Sequence, residues 1–193
     1  FLPEVFSMNS EVIAGELVIG GCKSSALAKE FGTPLFVIDE ADFKSRIQGW
    51  KSALEKNFGE HAGEVYYASK SFISIEVAKW IAQGGIGIDV CTGGELAVAL
   101  AANFPPAKIE VHGNNKSESE IARAIEVGVG KIVIDSMQEI ERVNRLAKVA
   151  GKVQPVLLRI TPGVDAHTHE AISTAHEDVK FGFSIASGIA WKA

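Results

Sequence analysis

Little in this sequence points to a nucleic acid, a membrane or a metal. Lysine and arginine number 19 against 24 aspartates and glutamates, for a net charge of −5. With no basic excess there is no electrostatic footprint for a phosphate backbone, and no basic run to meet an anionic membrane surface. No apolar stretch approaches the roughly 18 residues that a membrane span needs. The opening Phe1-Leu2-Pro3-Glu4 has neither a positive n-region nor a long apolar h-region, so no signal peptide is expected. It also lacks an initiating Met, so the first residues are expected to have been trimmed or left unrecorded. There are two cysteines, Cys22 and Cys91, far apart and with no His or Cys near either at ligand spacing. Neither a zinc site nor a disulfide scaffold is expected, and a reducing cytoplasm is the natural compartment.

What is plentiful is apolar. Over 193 residues, 47% are hydrophobic, which suits one globular domain or a piece of a larger one. Short runs rich in Val and Ile recur at 34–39, 64–69, 86–91, 109–112, 131–135 and 155–160. They do not alternate cleanly, as expected of strands covered on both faces. Helical patterns separate them. Phe43, Ile47, Trp50 and Leu54 share one helical face, with Gly59 just past the end. Ser117 with Glu120, and Ser136 with Glu139, read as capping boxes ahead of amphipathic runs. Strand and helix in alternation imply βαβ units and a parallel sheet.

No G-x-G-x-x-G turn follows the first run, which argues against a dinucleotide-binding fold. Polar residues instead recur where strands should end: Asp39, Lys70, Asp89, His112, Asp135 and Arg159. In a (β/α)8 TIM barrel that edge carries the active site. About six strand–helix units are expected, so the barrel is incomplete in this chain. Residues 1–32 read differently, as a strand near Leu17 belonging to a separate β-domain followed by a barrel-closing helix; residues 33–193 read as the partial barrel.

Several of these residues could carry chemistry. Lys70 follows Tyr66-Tyr67-Ala68-Ser69; a buried lysine there would lose its proton more readily and form a Schiff base, while a surface lysine at a loop edge is the plainer reading. Asp89 is either a carboxylate facing a cationic cofactor atom or a partner for a neighbouring strand's cation. Thr92 with Glu95 is a third capping box, and Gly93-Gly94 could let a ligand approach the backbone. The segment His112-Gly113-Asn114-Asn115-Lys116 could line a polar site or form a turn. Arg159 binds phosphate, phenolate or carboxylate, or joins an internal ion pair. His167-Thr168-His169 and His176-Glu177-Asp178 invite a metal reading, but no open-site geometry follows and no metal is expected.

Tyr67-Ala68-Ser69-Lys70, Asp89-Val90-Cys91-Thr92-Gly93-Gly94-Glu95-Leu96, His112-Gly113-Asn114-Asn115-Lys116 and His176-Glu177-Asp178-Val179-Lys180-Phe181-Gly182 stand in this order along the chain. As an ordered set they resemble the bacterial diaminopimelate decarboxylases of the alanine-racemase-like, fold-type-III pyridoxal-phosphate group. The resemblance runs from Gly32-Thr33-Pro34-Leu35 onward. It implies pyridoxal 5'-phosphate as cofactor, Lys70 as its Schiff-base lysine and catalytic residue, and Asp89, His112 and Arg159 as cofactor-binding residues. It further implies a homodimer whose active site is shared between subunits, with Lys180 near that interface. The family's ring-stacking histidine, phosphate-cradling glycines, pyridine-nitrogen glutamate and C-terminal β-domain should come after residue 193. The implied reaction is decarboxylation of meso-2,6-diaminopimelate to L-lysine. A related basic amino-acid decarboxylase or racemase, and a non-catalytic cofactor-binding protein, remain as alternatives.

Overall fold

A parallel ladder of five short strands organises most of the chain. The computed structural model describes residues 6–60, 63–163 and 181–193. Contacts divide the chain into two units, one of Phe1–Val65 with Gln83–Ile86, the other of Tyr66–Ala82 with Gly87–Ala193.

In the first unit, β1 (Ser10–Ile13), β2 (Glu16–Ile19) and β3 (Cys22–Lys23) form an antiparallel sheet. Helix α1 (Ser24–Phe31) follows, then the long α2 (Glu40–Phe58). Asp39 caps α2, its carboxylate accepting from Ala41 N and Asp42 N, so two of the orphan amides at the helix start are satisfied. The residue expected at a strand end is therefore occupied by the helix behind it. The run 34–39 itself joins no ladder, and Phe36 is 96% exposed. An apolar run becomes a strand only where a neighbour offers backbone donors and acceptors. On α2, Ile47 is buried as expected but Trp50 is exposed; the second buried residue is Asp42, held by Met8 N and Arg46 Nε.

In the second unit the strands are β4 (Tyr66–Ala68), β5 (Gly87–Val90), β6 (Ile109–Val111), β7 (Lys131–Ile134) and β8 (Val156–Leu158). They pair in chain order, all parallel. Between them run α3 (Ile75–Gly84), α4 (Gly93–Ala101), α5 (Glu118–Val127) and α6 (Met137–Val149). This is the α/β architecture the alternation implied, with five paired strands rather than six. A further parallel pair joins β9 (Ile160–Thr161) to β10 (Phe183–Ser184).

Register sorts the side chains into two faces, because successive residues of a strand point opposite ways. Ile88, Val90, Ile109, Val111, Ile132 and Ile134 lie on one face and are buried. This is the helix side, where Ile134, Val156 and Leu158 share a groove with Val143 and Ala147 of α6. Ile121, Ala124 and Ile125 of α5 are buried at the same i, i+3, i+4 spacing. Each fully buried isoleucine contributes about 2 kcal/mol by removal of its apolar surface from water. The opposite face carries Ala68, Asp89, Glu110 and Lys131, which are register partners across four strands. Among the described residues no helix is long and apolar enough to cross a membrane.

Candidate active site

The polar face of the ladder gathers the candidate residues at its carboxyl edge. His112 lies two residues beyond Glu110, Asp135 two beyond Val133, and Arg159 two beyond Leu157. Period-two alternation thus puts Asp89, His112, Asp135 and Arg159 on the face that Glu110 and Lys131 share. The backbone continues the ladder there, with His112 N donating to Val90 O at 2.7 Å and Arg159 N to Ile134 O at 3.0 Å.

Lys70 sits in the 3-10 turn Ser69–Ser71 directly after β4. It is exposed, the surface position at a loop edge rather than the buried one. Ser69 before it is 2% exposed. Ser69 Oγ and Asp89 Oδ1 are both buried without a hydrogen-bond partner among the described residues. Burial pushes the Asp89 carboxyl above its ordinary range; His112 and Lys70 pull it back, while Glu95 and Glu110 push the same way as burial. A buried carboxylate oxygen without a donor is costly unless something pairs with it. Burial likewise pushes up the Cys91 thiol, helped by Asp89 and Glu95 and opposed by Lys70 and Lys116.

At the other side of the edge, Arg159 Nη1 lies 3.5 Å from Asp135 Oδ1, and the guanidinium stacks over Phe181 at 4.2 Å. Asp135 Oδ2 also accepts from Gly182 N at 3.1 Å. Gly182 is obligatory there: its φ is +73° and a Cβ would meet Arg159 O at 2.6 Å.

Three further residues of this face escaped the sequence reading. Glu110 Oε1 accepts from Lys131 Nζ at 3.0 Å, its Oε2 lies 3.7 Å from His112 Nε2, and Lys131 sits 5.4 Å over the Tyr66 ring. The Tyr66 ring lies across Gly87, whose absent Cβ makes the room. A charged residue within the apolar Ile109-Glu110-Val111 was the available signal.

Two expectations change. Gly93 N donates to Glu120 Oε1 at 2.8 Å, and a Cβ on Gly93 would meet Glu120 Cγ at 3.2 Å. The glycine admits a glutamate of the same protein rather than a ligand. Lys116 does not line an open site, since it is 3% exposed and bonded internally. His167, His169, His176, Glu177, Asp178 and Lys180 lie outside the described residues. Among those described, no group of three His, Cys, Asp or Glu side chains could hold a metal ion.

Comparison with known proteins meets this geometry. Residues 40–192 match the family described as pyridoxal-dependent decarboxylase, pyridoxal binding domain. Diaminopimelate decarboxylase of Mycobacterium tuberculosis is 58% identical over 179 residues, which are 93% of this chain and 39% of that protein. The Bacillus subtilis diaminopimelate decarboxylase is 45% identical over 174 residues, 90% of this chain and 39% of the relative. The chain thus spans about two fifths of the curated relatives it matches. The crystal structure of diaminopimelate decarboxylase from M. jannaschii superposes with a TM-score of 0.85 at 35% identity, covering 97% of this chain and 44% of that one. The same enzyme in co-complex with L-lysine gives 0.84 at 34% identity, covering 96% and 43%. The chain belongs to the pyridoxal-dependent decarboxylase family through its pyridoxal-binding domain, and diaminopimelate decarboxylases are the relatives it resembles.

Proposed function

We propose that this chain is the cofactor-bearing, N-terminal portion of an enzyme that decarboxylates meso-2,6-diaminopimelate to L-lysine and carbon dioxide. The observation that carries the reading is that Lys70, Asp89, His112 and Arg159 all fall at the carboxyl edge of one parallel sheet, where Asp89 Oδ1 is buried without a donor among the described residues. In barrels of this kind that edge is where chemistry is done. The family relationship supplies the reaction class, and the L-lysine bound by the M. jannaschii enzyme agrees with the product.

The residues present fit pyridoxal phosphate. Lys70 offers an exposed amine. The unpaired Asp89 Oδ1 suits a cationic group brought by the ligand. Arg159 suits a phenolate, phosphate or carboxylate, since a guanidinium carries five donors and its described hydrogen bond engages Nη1. When bound, the cofactor supplies the electron sink for the bond that carbon dioxide leaves behind. Lys70 Nζ, or a group from a partner subunit, then returns a proton to the carbon that lost the carboxylate. His112 is held beside Glu110 at 3.7 Å and acts electrostatically on Asp89. It helps fix the charge at the same edge.

The remaining elements of the reading belong to the same proposal. Residues 33–193 form part of a (β/α)8 barrel of the alanine-racemase-like type. Residues 1–32 supply a strand to a separate β-domain and a barrel-closing helix. The enzyme works as a homodimer with a shared active site, in the cytoplasm, where its two cysteines remain free thiols. Borohydride reduction in the presence of pyridoxal phosphate, followed by peptide mapping, should place the pyridoxyl group on Lys70, and Lys70→Ala should abolish it. An adduct on Lys116 or Lys131 would refute the assignment.

A further inference from the structure

Lys116 and Glu139 form an ion pair inside the second unit, and nothing in the proposed chemistry uses it. Their side chains are 2% and 4% exposed, with Nζ and Oε2 at 3.0 Å. Lys116 Nζ also donates to the carbonyls of Gly113 at 2.6 Å and Val133 at 2.7 Å. Its three protons therefore meet three acceptors. Glu139 Oε2 accepts in addition from Asp135 N at 2.8 Å. Burying such a pair is weak evidence for stability, because apolar side chains of similar volume often serve as well.

What the pair touches is more informative. Gly113 adjoins His112. Val133 is the penultimate residue of β7 and Asp135 the residue just beyond its end. The Asp135 carboxylate in turn faces Arg159 Nη1 and Gly182 N. The outer end of the loop is tied as well, with Arg142 Nη1 donating to Lys116 O at 2.8 Å. Apolar replacements would fill the volume but leave Gly113 O, Val133 O and Asp135 N without these partners. We propose that Lys116 and Glu139 are positioning residues for the site at the sheet edge. Their pair sets the spacing between the loop after β6 and the end of β7, and so fixes His112 and the Asp135–Arg159 contact. This rests on the reading of that edge as the pyridoxal-phosphate site.

The test uses the full chain and the double variant Lys116→Met with Glu139→Leu. Its melting temperature should fall only modestly, since apolar packing offsets part of what the unpartnered Gly113 O, Val133 O and Asp135 N cost. Amide hydrogen exchange without cofactor should nevertheless quicken at residues 112–113 and 135, and not across the sheet as a whole. The dissociation constant for pyridoxal phosphate should rise about tenfold, as expected when supporting residues let a site drift by a fraction of an ångström. Parent-like exchange at those amides together with parent-like affinity would reduce the pair to a volume filler and overturn the proposal. Should the double variant fail to fold, Glu139→Gln takes its place, read by exchange at residues 112–113 and by affinity. It keeps an acceptor for Asp135 N and removes the charge facing Lys116. If the parent binds no pyridoxal phosphate, the proposed function falls, while the exchange comparison still decides the positioning role.

Discussion

Asp89→Asn should stabilise the chain in the absence of cofactor while weakening its hold on pyridoxal phosphate. Asp89 Oδ1 is buried without a described donor, and burial is the largest influence raising its carboxyl above the ordinary 3.8. The variant keeps the shape and removes the charge. A folded-state value above the unfolded one means that the folded chain binds the proton more tightly, so stability falls as pH rises from the unfolded value through the raised one. Above the raised value the deficit is constant. Below the unfolded value parent and variant are both uncharged there, and this difference vanishes. The magnitude is modest, because the residue as a whole is half-buried and His112 and Lys70 offset part of the penalty. The low end of the range for an unpaired buried polar atom, about 1 kcal/mol, is appropriate. For a chain of this size that raises Tm by roughly 2–4 °C near neutral pH, with the gap closing towards about pH 4. Calorimetric melts of both proteins over that pH range, together with a pyridoxal-phosphate titration, measure both effects. A variant that melts below the parent at neutral pH, or a gap that ignores pH, would show that the carboxyl is already satisfied and refute the reasoning.

Gly87→Ala should destabilise by about 1–3 kcal/mol, the usual result of overpacking, because the new Cβ would lie 2.3 Å from Tyr66 Cε1; urea melts would show it, and an unchanged midpoint would mean that the ring swings aside freely. Cys22 is exposed and Cys91 half-buried with its thiol pushed up, so at neutral pH iodoacetamide should label Cys22 first. Asp89→Asn should speed Cys91 labelling by removing a neighbouring negative charge, and equal rates in parent and variant would contradict that coupling.

The strands that found partners were legible as short, continuous apolar runs, although burial follows only at β5, β6 and β7 while β8 is exposed throughout. The run 34–39 has the same composition, yet Phe36 stands 96% exposed, because pairing belongs to the ladder and not to the run. The placement of Asp89, His112, Asp135 and Arg159 at the sheet edge was legible for a related reason: a polar residue closing a paired apolar run falls at that edge, whereas Asp39, closing the unpaired run, caps a helix. What could not be read was which cations face outward. Lys70 and Lys116 both follow a strand end within a polar turn, but Lys70 is exposed and Lys116 is 3% exposed. The difference lies with Glu139, which sits 23 residues further on and offers Lys116 a buried acceptor. On α6 that glutamate opens the buried stripe continued by Val143 and Ala147.

The three capping-box sequences show how far a local motif reaches. All share a hydroxyl residue followed three positions later by glutamate, yet only Ser117 with Glu120 closes the reciprocal box, and Glu120 reaches Gly93 N as well. Thr92 caps α4 through Glu95 N, but the Glu95 carboxylate accepts from Cys91 N instead of from the cap residue. Ser136 makes no side-chain cap bond, and Glu139 accepts from Asp135 N and Lys116. A carboxylate near a helix start satisfies whichever orphan donor lies nearest, and after a buried strand that donor is the amide at the strand's own end. The consequence is mechanical. At β5 and β7 the glutamate ties the helix back to the residue that closes the strand. The carboxyl edge bearing Asp89 and Asp135 is thereby tied to the helices that follow β5 and β7.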